Sequence, residues 1–237
     1  MKPSLAASLI ATTVAAALVV GTGGAALAAE STAGSTAPRS LSAVQALGAA
    51  ATAARIGALD TSIPKITSNA YLNATEQAQV LGTLTGDRSA MVSLAAKIAA
   101  DNDLAVATAG YRSIFTGYRV FAVAIPQAHY AAAASGLSDS AIPALQAAQV
   151  ALQAAIAGPL ASKDTPAIDA TMAHLANQIS VARSAVSGVS AFALSVTPEQ
   201  FNANHEILAS ARAAVKATTA AVKAARADVA SVTAALR

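Results

Sequence analysis

The stretch from Gly110 to Tyr130 reads GYRSIFTGYRVFAVAIPQAHY and contains five of the eight aromatic residues of the chain. The tripeptide Gly-Tyr-Arg occurs in it twice, beginning at Gly110 and at Gly117. Because the two copies are one heptad apart, a helix would place them nearly on the same face. Most of the remaining chain is made of small side chains. We therefore expect the other helices to pack around this stretch, and the stretch to supply a disproportionate share of the stability.

The composition favours closely packed helices over a thick apolar core. The chain has 237 residues, of which 69 are alanine, and this alanine accounts for most of its 55% hydrophobic fraction. Alanine is the best helix former but buries little surface. Aromatic residues make up 3% and charged residues 11%, and there is no cysteine. The fold therefore cannot rely on disulfide bonds.

The N-terminus has the features of a signal peptide. Lys2 supplies a positive charge, Leu9 to Val20 is an apolar run too short for a bilayer span, and Ala26-Leu27-Ala28 is a small-residue cleavage site. We expect a signal peptide at residues 1–28 and a secreted or cell-surface protein that begins at Ala29. An uncleaved membrane anchor is the alternative. We expect no transmembrane segment in the mature chain, and a small, polar, disordered linker at residues 29–40.

Helical periodicity begins near Leu41, and capping signals divide the chain into helices. Pro64 should kink or end the first helix near Ser62. Asn73 and Glu76 have capping-box spacing, which explains these residues without invoking the N-x-T glycosylation sequon that they also form. The second helix should run on the seam Leu81, Leu84, Arg88, Met91, Ala95 and Ile98. Asp103 should then cap the third helix, which enters the aromatic stretch.

Within the aromatic stretch, Ile114, Tyr118, Phe121 and Ile125 have helical spacing. The run from Tyr118 to Ile125 is also rich in the residues that favour strands, but no second strand is available to pair with it. We therefore predict a helix with a break at Pro126.

Three further helices are expected after this break. Ser140 to Pro143 should open a fourth helix, which Gly158 should end. Thr165-Pro166 should open a fifth, with a seam from Ile168 through Val186 and Val189 to Ala193. Thr197 should form another cap, and the last helix should run on Leu208, Ala211, Val215, Thr218, Val222, Ala225, Val229, Val232 and Leu236. The sequence therefore predicts an all-α fold: an elongated antiparallel bundle of about five to six helices with coiled-coil-like seams, forming a single domain from residue 41 to 237.

Known catalytic and cofactor-binding patterns are missing from the sequence. It contains no Gly-x-Ser-x-Gly elbow, no phosphate-binding glycine loop and no H-E-x-x-H motif. Its three histidines, His129, His174 and His205, lack the spacing of helical metal ligands. We therefore expect a protein that is not an enzyme, with no catalytic, cofactor-binding or metal-binding residues.

Three arginines leave a second function open. Arg88 falls at a seam position, and Arg112 and Arg119 lie one heptad apart beside the tyrosines. They are expected to cover the aromatic face and to pair with Asp60, Asp87 or Asp101. The alternative is a small-ligand or metal-binding protein that uses the segment 110–130, with Arg88, Arg112, Arg119, Tyr118 and His129 as its site.

The last helix carries a basic side formed by Arg212, Lys216, Lys223 and Arg226. From Ile207 to Arg237 there are five positive charges and one negative charge, Asp228. A basic helix can bind a protein or an anionic envelope polymer, whereas a solvated outer face is the simpler interpretation. The whole chain has a formal net charge of only +3, which does not indicate nucleic-acid binding.

Several short motifs carry a family resemblance: Asp87-Arg88, Tyr111-Arg112-Ser113-Ile114, Tyr118-Arg119-Val120-Phe121 and Ile125-Pro126-Gln127-x-His129. From about Ile56 to the C-terminus the chain resembles secreted, alanine-rich, all-helical hypothetical proteins of high-GC Gram-positive bacteria. The resemblance implies an exported, coiled-coil-like protein with no assigned activity. Together with the residues, it predicts a structural or interaction role at the cell envelope or in the medium.

Overall fold

A computed structural model describes residues 40–237 as an all-α helical bundle with no strand among them. The predicted signal peptide and residues 29–39 of the predicted linker lie outside the described residues. Ser40, the last linker residue, is the N-cap of the first helix and accepts a hydrogen bond from the Ala43 amide. The predicted single domain from residue 41 to 237 stays a prediction.

The described residues form nine α-helices, six of which have at least 13 residues, in keeping with the predicted number. They are α1 Leu41–Thr67, α2 Ala74–Ala100, α3 Leu104–Thr116, α4 Ile125–Gly136, α5 Ile142–Ala157, α6 Pro166–Val186, α7 Val189–Ser195, α8 Pro198–Ala203 and α9 Ala209–Ala235. Two five-residue π-helical segments, π1 Val120–Ala124 and π2 Leu137–Ala141, precede α4 and α5, and a short 3₁₀ turn spans Ala161–Lys163.

The predicted N-terminal caps are confirmed. Asn73 and Glu76 form both hydrogen bonds of a capping box, as Thr197 and Gln200 do at α8. The Asp103 carboxylate accepts from the first amides of α3, and Thr165 accepts from the Ile168 amide. These side chains satisfy amide groups that a helix start leaves without intrahelical partners.

The first helix does not end near Ser62, because α1 continues to Thr67. The alternative, a kink at Pro64, stays a prediction. Pro64 lies in the last turn and is exposed, so its ring displaces no core contact. Beyond it, Ile66 is buried in the core. We attribute the continuation to this burial, which offsets the one backbone hydrogen bond that proline removes.

The buried face of α1 contains polar and small residues that hydrophobic periodicity did not select. Its buried residues, spaced three or four apart, are Val44, Gly48, Thr52, Arg55, Leu59, Ser62 and Ile66. The Thr52 and Ser62 hydroxyls donate to carbonyls one turn back, at 2.8 and 2.9 Å. A Cβ on Gly48 would lie 2.9 Å from the Ile98 side chain, so glycine permits the close approach of α1 to α2.

The break in the aromatic stretch comes before Pro126, not at it. α3 ends at Thr116, and Arg119 adopts a left-handed conformation with φ 47°. The chain is then helical again from Val120, and Pro126 lies in the first turn of α4. The predicted absence of a strand at Val120 to Ile125 is confirmed for these residues, which form π1 and the start of α4.

The predicted fourth helix corresponds to α5, which begins at Ile142 with Pro143 in its first turn. No break precedes it, because π2 joins it to α4 and the chain is helical from Val120 to Ala157. Both prolines of this long helix follow a π-helical segment by one residue, in the pairs Ile125-Pro126 and Ile142-Pro143. In each case the isoleucine amide bonds to the carbonyl five residues back. The wider turn accommodates a proline ring that would clash with the carbonyl four residues back in a regular α-helix.

The fifth helix ends earlier than predicted, at Val186. Gly188 then has φ 72°, a left-handed conformation that glycine adopts without steric cost, and α7 begins at Val189. The predicted seam as far as Val186 is confirmed, since its six members in α6 are all buried. Val189 and Ala193 are also buried, but on a separate helix.

Two helix pairs make the largest contacts, α1 with α2 and α6 with α9. The second pair is antiparallel: Lys163, just before α6, donates to the Leu236 carbonyl at the end of α9, and His174 contacts Asp228 further in. The predicted seam of α9 is confirmed: eight of its nine residues are buried, and Val229 packs against the core. α4 contributes to the core around α6 and α9 and to the core around α1 and α2.

The five aromatic residues of the stretch surround the core and do not fill it. All of them are partly exposed, and the largest fully buried side chains are Leu59, Leu84, Met91, Ile98, Ile114 and Leu175. Tyr118 packs against two separate clusters of buried residues. The aromatic residues therefore join separate parts of the core at their edges.

α5 is an uncharged helix with a largely exposed surface. Only Ile142 and Leu145 of its 16 residues are buried, and Val150 is 64% exposed. By length and composition alone, one described helical stretch, Leu104–Ala157, could cross a membrane: it contains an 18-residue window of mean hydropathy 1.2, 17% of which is buried. A single stretch of this kind is weak evidence for a span, and the predicted lack of a transmembrane segment stays a prediction.

Candidate functional site

The basic side of α9 is a row of four exposed cations. Arg212, Lys216, Lys223 and Arg226 are all exposed. At 1.5 Å per residue, the row is about 21 Å long, and helical geometry confines it to an arc of about 80° on one side of the buried seam. We refer to these four residues as the basic row.

No carboxylate in the described part of the chain pairs with the basic row. Among residues 40–237, none of its four members forms an ion pair. Burial raises the pKa of the Tyr130 phenol, and the nearby positive charge of Arg212 lowers it to a smaller extent.

The single acidic residue of α9 faces a different helix. Asp228 Oδ2 lies 2.8 Å from His174 Nδ1 on α6, and the Asp228 side chain is only 15% exposed. His174 Nε2 is in turn 3.1 Å from the Gln178 side-chain amide. Asp228 therefore pairs with His174 at the α6–α9 contact and not with a cation of the basic row.

The three arginines of the alternative site have separate surroundings. Arg88 pairs with Asp60 on α1, as expected for a structural role, through Nε to Oδ1 at 2.5 Å. Arg112 is exposed. Arg119 Nε donates to Asn202 Oδ1 at 2.7 Å, and its guanidinium lies 5.3 Å from the Phe201 ring centre, on α8.

Asn202 holds the break between α3 and π1 from both sides. Its amide nitrogen donates to the Thr116 carbonyl at 2.8 Å, while its oxygen accepts from Arg119. The Thr116 carbonyl is one of the helix-end acceptors that need a partner. The left-handed Arg119 therefore has a structural explanation in this contact.

Tyr118 and His129 complete the predicted alternative. Tyr118 lines an apolar groove of about 470 Å³ between α2 and α3, together with Lys97 and Gly110. His129 is exposed on α4, and partial burial of its ring together with the nearby Lys65 lowers its pKa. None of the other four proposed residues lines the groove beside Tyr118. The described geometry thus gives the five residues no common cleft.

Arg55 is a buried charge that sequence reasoning missed. Its side chain is 3% exposed, and its guanidinium carbon lies 4.5 Å from the Phe115 ring centre and 4.9 Å from that of Phe121. Its Nη1 donates to the Ala51 carbonyl at 3.1 Å. The available signal was position, since Arg55 is in register with the buried Thr52 and Leu59. The aromatic stretch is therefore bound to α1 through cation–π contacts.

Within residues 40–237, no group of three or more histidine, cysteine, aspartate or glutamate side chains is placed to hold a metal ion.

Comparisons of the chain with protein-family models, with curated proteins and with solved structures found no match. The resemblance to secreted alanine-rich helical proteins therefore stays a prediction. Any functional conclusion depends on the residues and their arrangement.

Proposed function

We propose that the chain is an exported, non-enzymatic helical bundle that acts at the cell envelope, where the basic row binds an anionic polymer. The observation that carries the proposal is the basic row itself: four exposed cations on one side of α9, with no ion pair in the described part of the chain. The N-terminal signal pattern supports export.

The arrangement suits a linear partner better than a compact one. Four cations along about 21 Å of one helix can contact successive phosphate or carboxylate groups of an extended chain. The overall charge of the protein is small, so the attraction is local to this row. Because the row is exposed, salt should weaken the binding strongly.

Paired charge reversals test the proposal. Lys216→Glu with Lys223→Glu removes the centre of the basic row, whereas Lys65→Glu with Lys97→Glu makes the same change in net charge at exposed lysines of α1 and α2. Binding of the mature protein to linear polyphosphate and to poly-L-glutamate would be measured at low salt.

We expect the first double variant to bind at least about tenfold more weakly, because two of four contacts become repulsive. The second should bind within about twofold of the original protein, since its changed residues lie on other helices. Equal weakening in both variants would show that net charge alone controls binding, and would contradict a site on α9.

A further inference from the structure

A polar cleft of about 490 Å³ lies where α2, α4, α6 and α7 come together, with π2 and α5 along one side. This volume is within the range of small-molecule sites. Its polar lining includes Glu76, Ser135, Asp139, Gln146, Arg183 and Ser190, and Ile142 and Val186 provide an apolar part. The basic row is not part of this lining.

Glu76 is the central group of the cleft. Its Oε1 accepts from the Ser190 hydroxyl at 2.5 Å, and its Oε2 accepts from the Ser135 hydroxyl at 3.2 Å and the Asn73 amide at 3.3 Å. Ser135 is 3% exposed. Three elements that are distant in the sequence are thereby fixed around one carboxylate.

These hydrogen bonds determine what the cleft can still offer a ligand. A carboxylate has about four lone-pair positions, so Glu76 keeps one for a further donor. Ser135 and Ser190 each give their only hydroxyl proton to Glu76, which leaves both oxygens as acceptors. Asp139 accepts from Ser138 at 2.7 Å and has further lone pairs. The Glu76 end of the cleft therefore presents acceptors to its interior and suits an ammonium group.

The cleft also contains a cationic hydrogen-bond donor, Arg183. Arg183 Nη2 donates to Gln146 Oε1 at 3.1 Å. A guanidinium has five N–H donors in a planar fork that matches a carboxylate, so this bond leaves donors for a second acceptor.

We propose that this cleft binds a small zwitterion that carries an ammonium group and a carboxylate, such as an α-amino acid or a short peptide with a free N-terminus. The ammonium group lies at Glu76, Ser135 and Ser190, and the carboxylate lies at Arg183. Ile142 and Val186 favour a ligand with a small apolar side chain. This site is independent of polymer binding by α9.

Isothermal titration calorimetry of the mature protein with four probes tests the proposal. The probes are L-alanine, L-alanyl-L-alanine, ethylamine and propionate, all at millimolar concentration. We expect at least one of the first two to bind at least tenfold more tightly than ethylamine and propionate, which each lack one charged group. Binding of L-alanine would identify a free amino acid as the better ligand, and binding of the dipeptide alone would identify a peptide.

Two variants and a matched control complete the test. Glu76→Gln keeps a residue that can form the capping box, so α2 should still fold, but it removes the negative charge. We expect it to weaken binding of the zwitterion at least tenfold, and Arg183→Gln to do the same. Glu199→Gln, the same exchange in the first turn of α8, should leave binding unchanged. Absence of binding by both zwitterions, or unchanged affinity in Glu76→Gln, would overturn the proposal.

Discussion

Asp87 occupies a position in α2 that the sequence assigned to its neighbour Arg88. The buried residues of α2 are Val80, Leu84, Met91, Leu94 and Ile98, and residue 87 completes their spacing of three and four. Arg88 instead lies at the edge and reaches Asp60. Burial raises the pKa of Asp87 from 3.8 to about 6. Asp87 is thus the charged residue of α2 that burial penalises.

This burial predicts a pH-dependent stability. Between pH 4 and 6 the folded protein holds a proton on Asp87 that the unfolded chain releases, so stability should fall as pH rises through this window and level off above it. A shift of about two units corresponds to about 2.7 kcal/mol, but partial exposure should reduce the effect to about 1 kcal/mol. Urea unfolding at several pH values should show this decrease, and Asp87→Asn should abolish it. Asp169→Asn, at an exposed site, is the control and should keep the decrease. If Asp87→Asn showed the same decrease as the original protein, the pH dependence would not come from Asp87.

Substitution of Arg55 should have a large effect on stability, because this arginine is buried whereas most arginines lie on the surface. Arg55→Ala should destabilise the protein by about 2–4 kcal/mol, because it removes two cation–π contacts in a desolvated site and leaves a cavity. Arg55→Lys should also destabilise, by at least about 1 kcal/mol, since an ammonium cannot lie flat against both rings. Urea unfolding would measure both variants. A loss below about 0.5 kcal/mol in Arg55→Ala would show that the contacts with Phe115 and Phe121 do not hold α1 to the aromatic stretch.

Among the elements, helix starts were the features best predicted from the sequence. The caps at Asn73, Asp103, Thr165 and Thr197 depend on hydrogen bonds within three residues, so local sequence contains the necessary information. Helix ends and interruptions were predicted less well. Hydrophobic spacing continues from Val186 to Val189 and Ala193, and it concealed the turn at Gly188.

The effect of the prolines on the helix could not be predicted from the neighbouring sequence either. Pro126 and Pro143 each read as a break or a start, but a π-helical segment before each one keeps the helix continuous. Whether a helix widens or breaks at proline depends on the packing of the residues around it. Ala124 and Ala141, the last residues of π1 and π2, are buried against other helices, which the sequence alone does not reveal.

Substitution of two glycines, one between helices and one within a helix, tests how backbone conformation affects stability. Gly188→Ala should destabilise the protein by about 1 kcal/mol, because alanine is strained in the left-handed conformation of this residue. Steric overlap adds nothing to this cost, since an added Cβ would meet no atom within 4 Å. Gly57→Ala, in the interior of α1 with equally open space, should stabilise by about 0.5–1 kcal/mol. Thermal unfolding of the two variants should therefore shift in opposite directions. A stabilising effect of Gly188→Ala would contradict the role of Gly188 in ending α6.

At the scale of the whole molecule, the sequence predicted the fold class and the basic row but not the cleft around Glu76. The basic row follows from helical spacing within α9, whose seam was correctly predicted. The cleft joins Glu76 to Ser135 and Ser190, which lie 59 and 114 residues further along the chain. No local pattern links these residues, so the site depends on the packing of α2, α4 and α7.

Export is a second property of the whole chain that can be measured. The cleavage pattern at Ala28 predicts a mature protein that begins at or near Ala29. N-terminal sequencing of protein recovered from the medium or the cell surface should return this start. Recovery of a chain that begins at Met1 would instead support an uncleaved anchor.

If the basic row binds an anionic polymer, the binding should depend on salt concentration in a way that reports the number of cations involved. For linear polyphosphate, the affinity should fall with salt because each cation that contacts a phosphate releases counterions. Four contacts predict a slope of about −3 in a plot of log affinity against log salt concentration. In the Lys216→Glu and Lys223→Glu double variant, the magnitude of the slope should fall to about 1 or below. Lys65→Glu with Lys97→Glu should leave the slope unchanged. A slope near zero in the original protein, or equal slopes in all three proteins, would contradict polymer binding by the basic row.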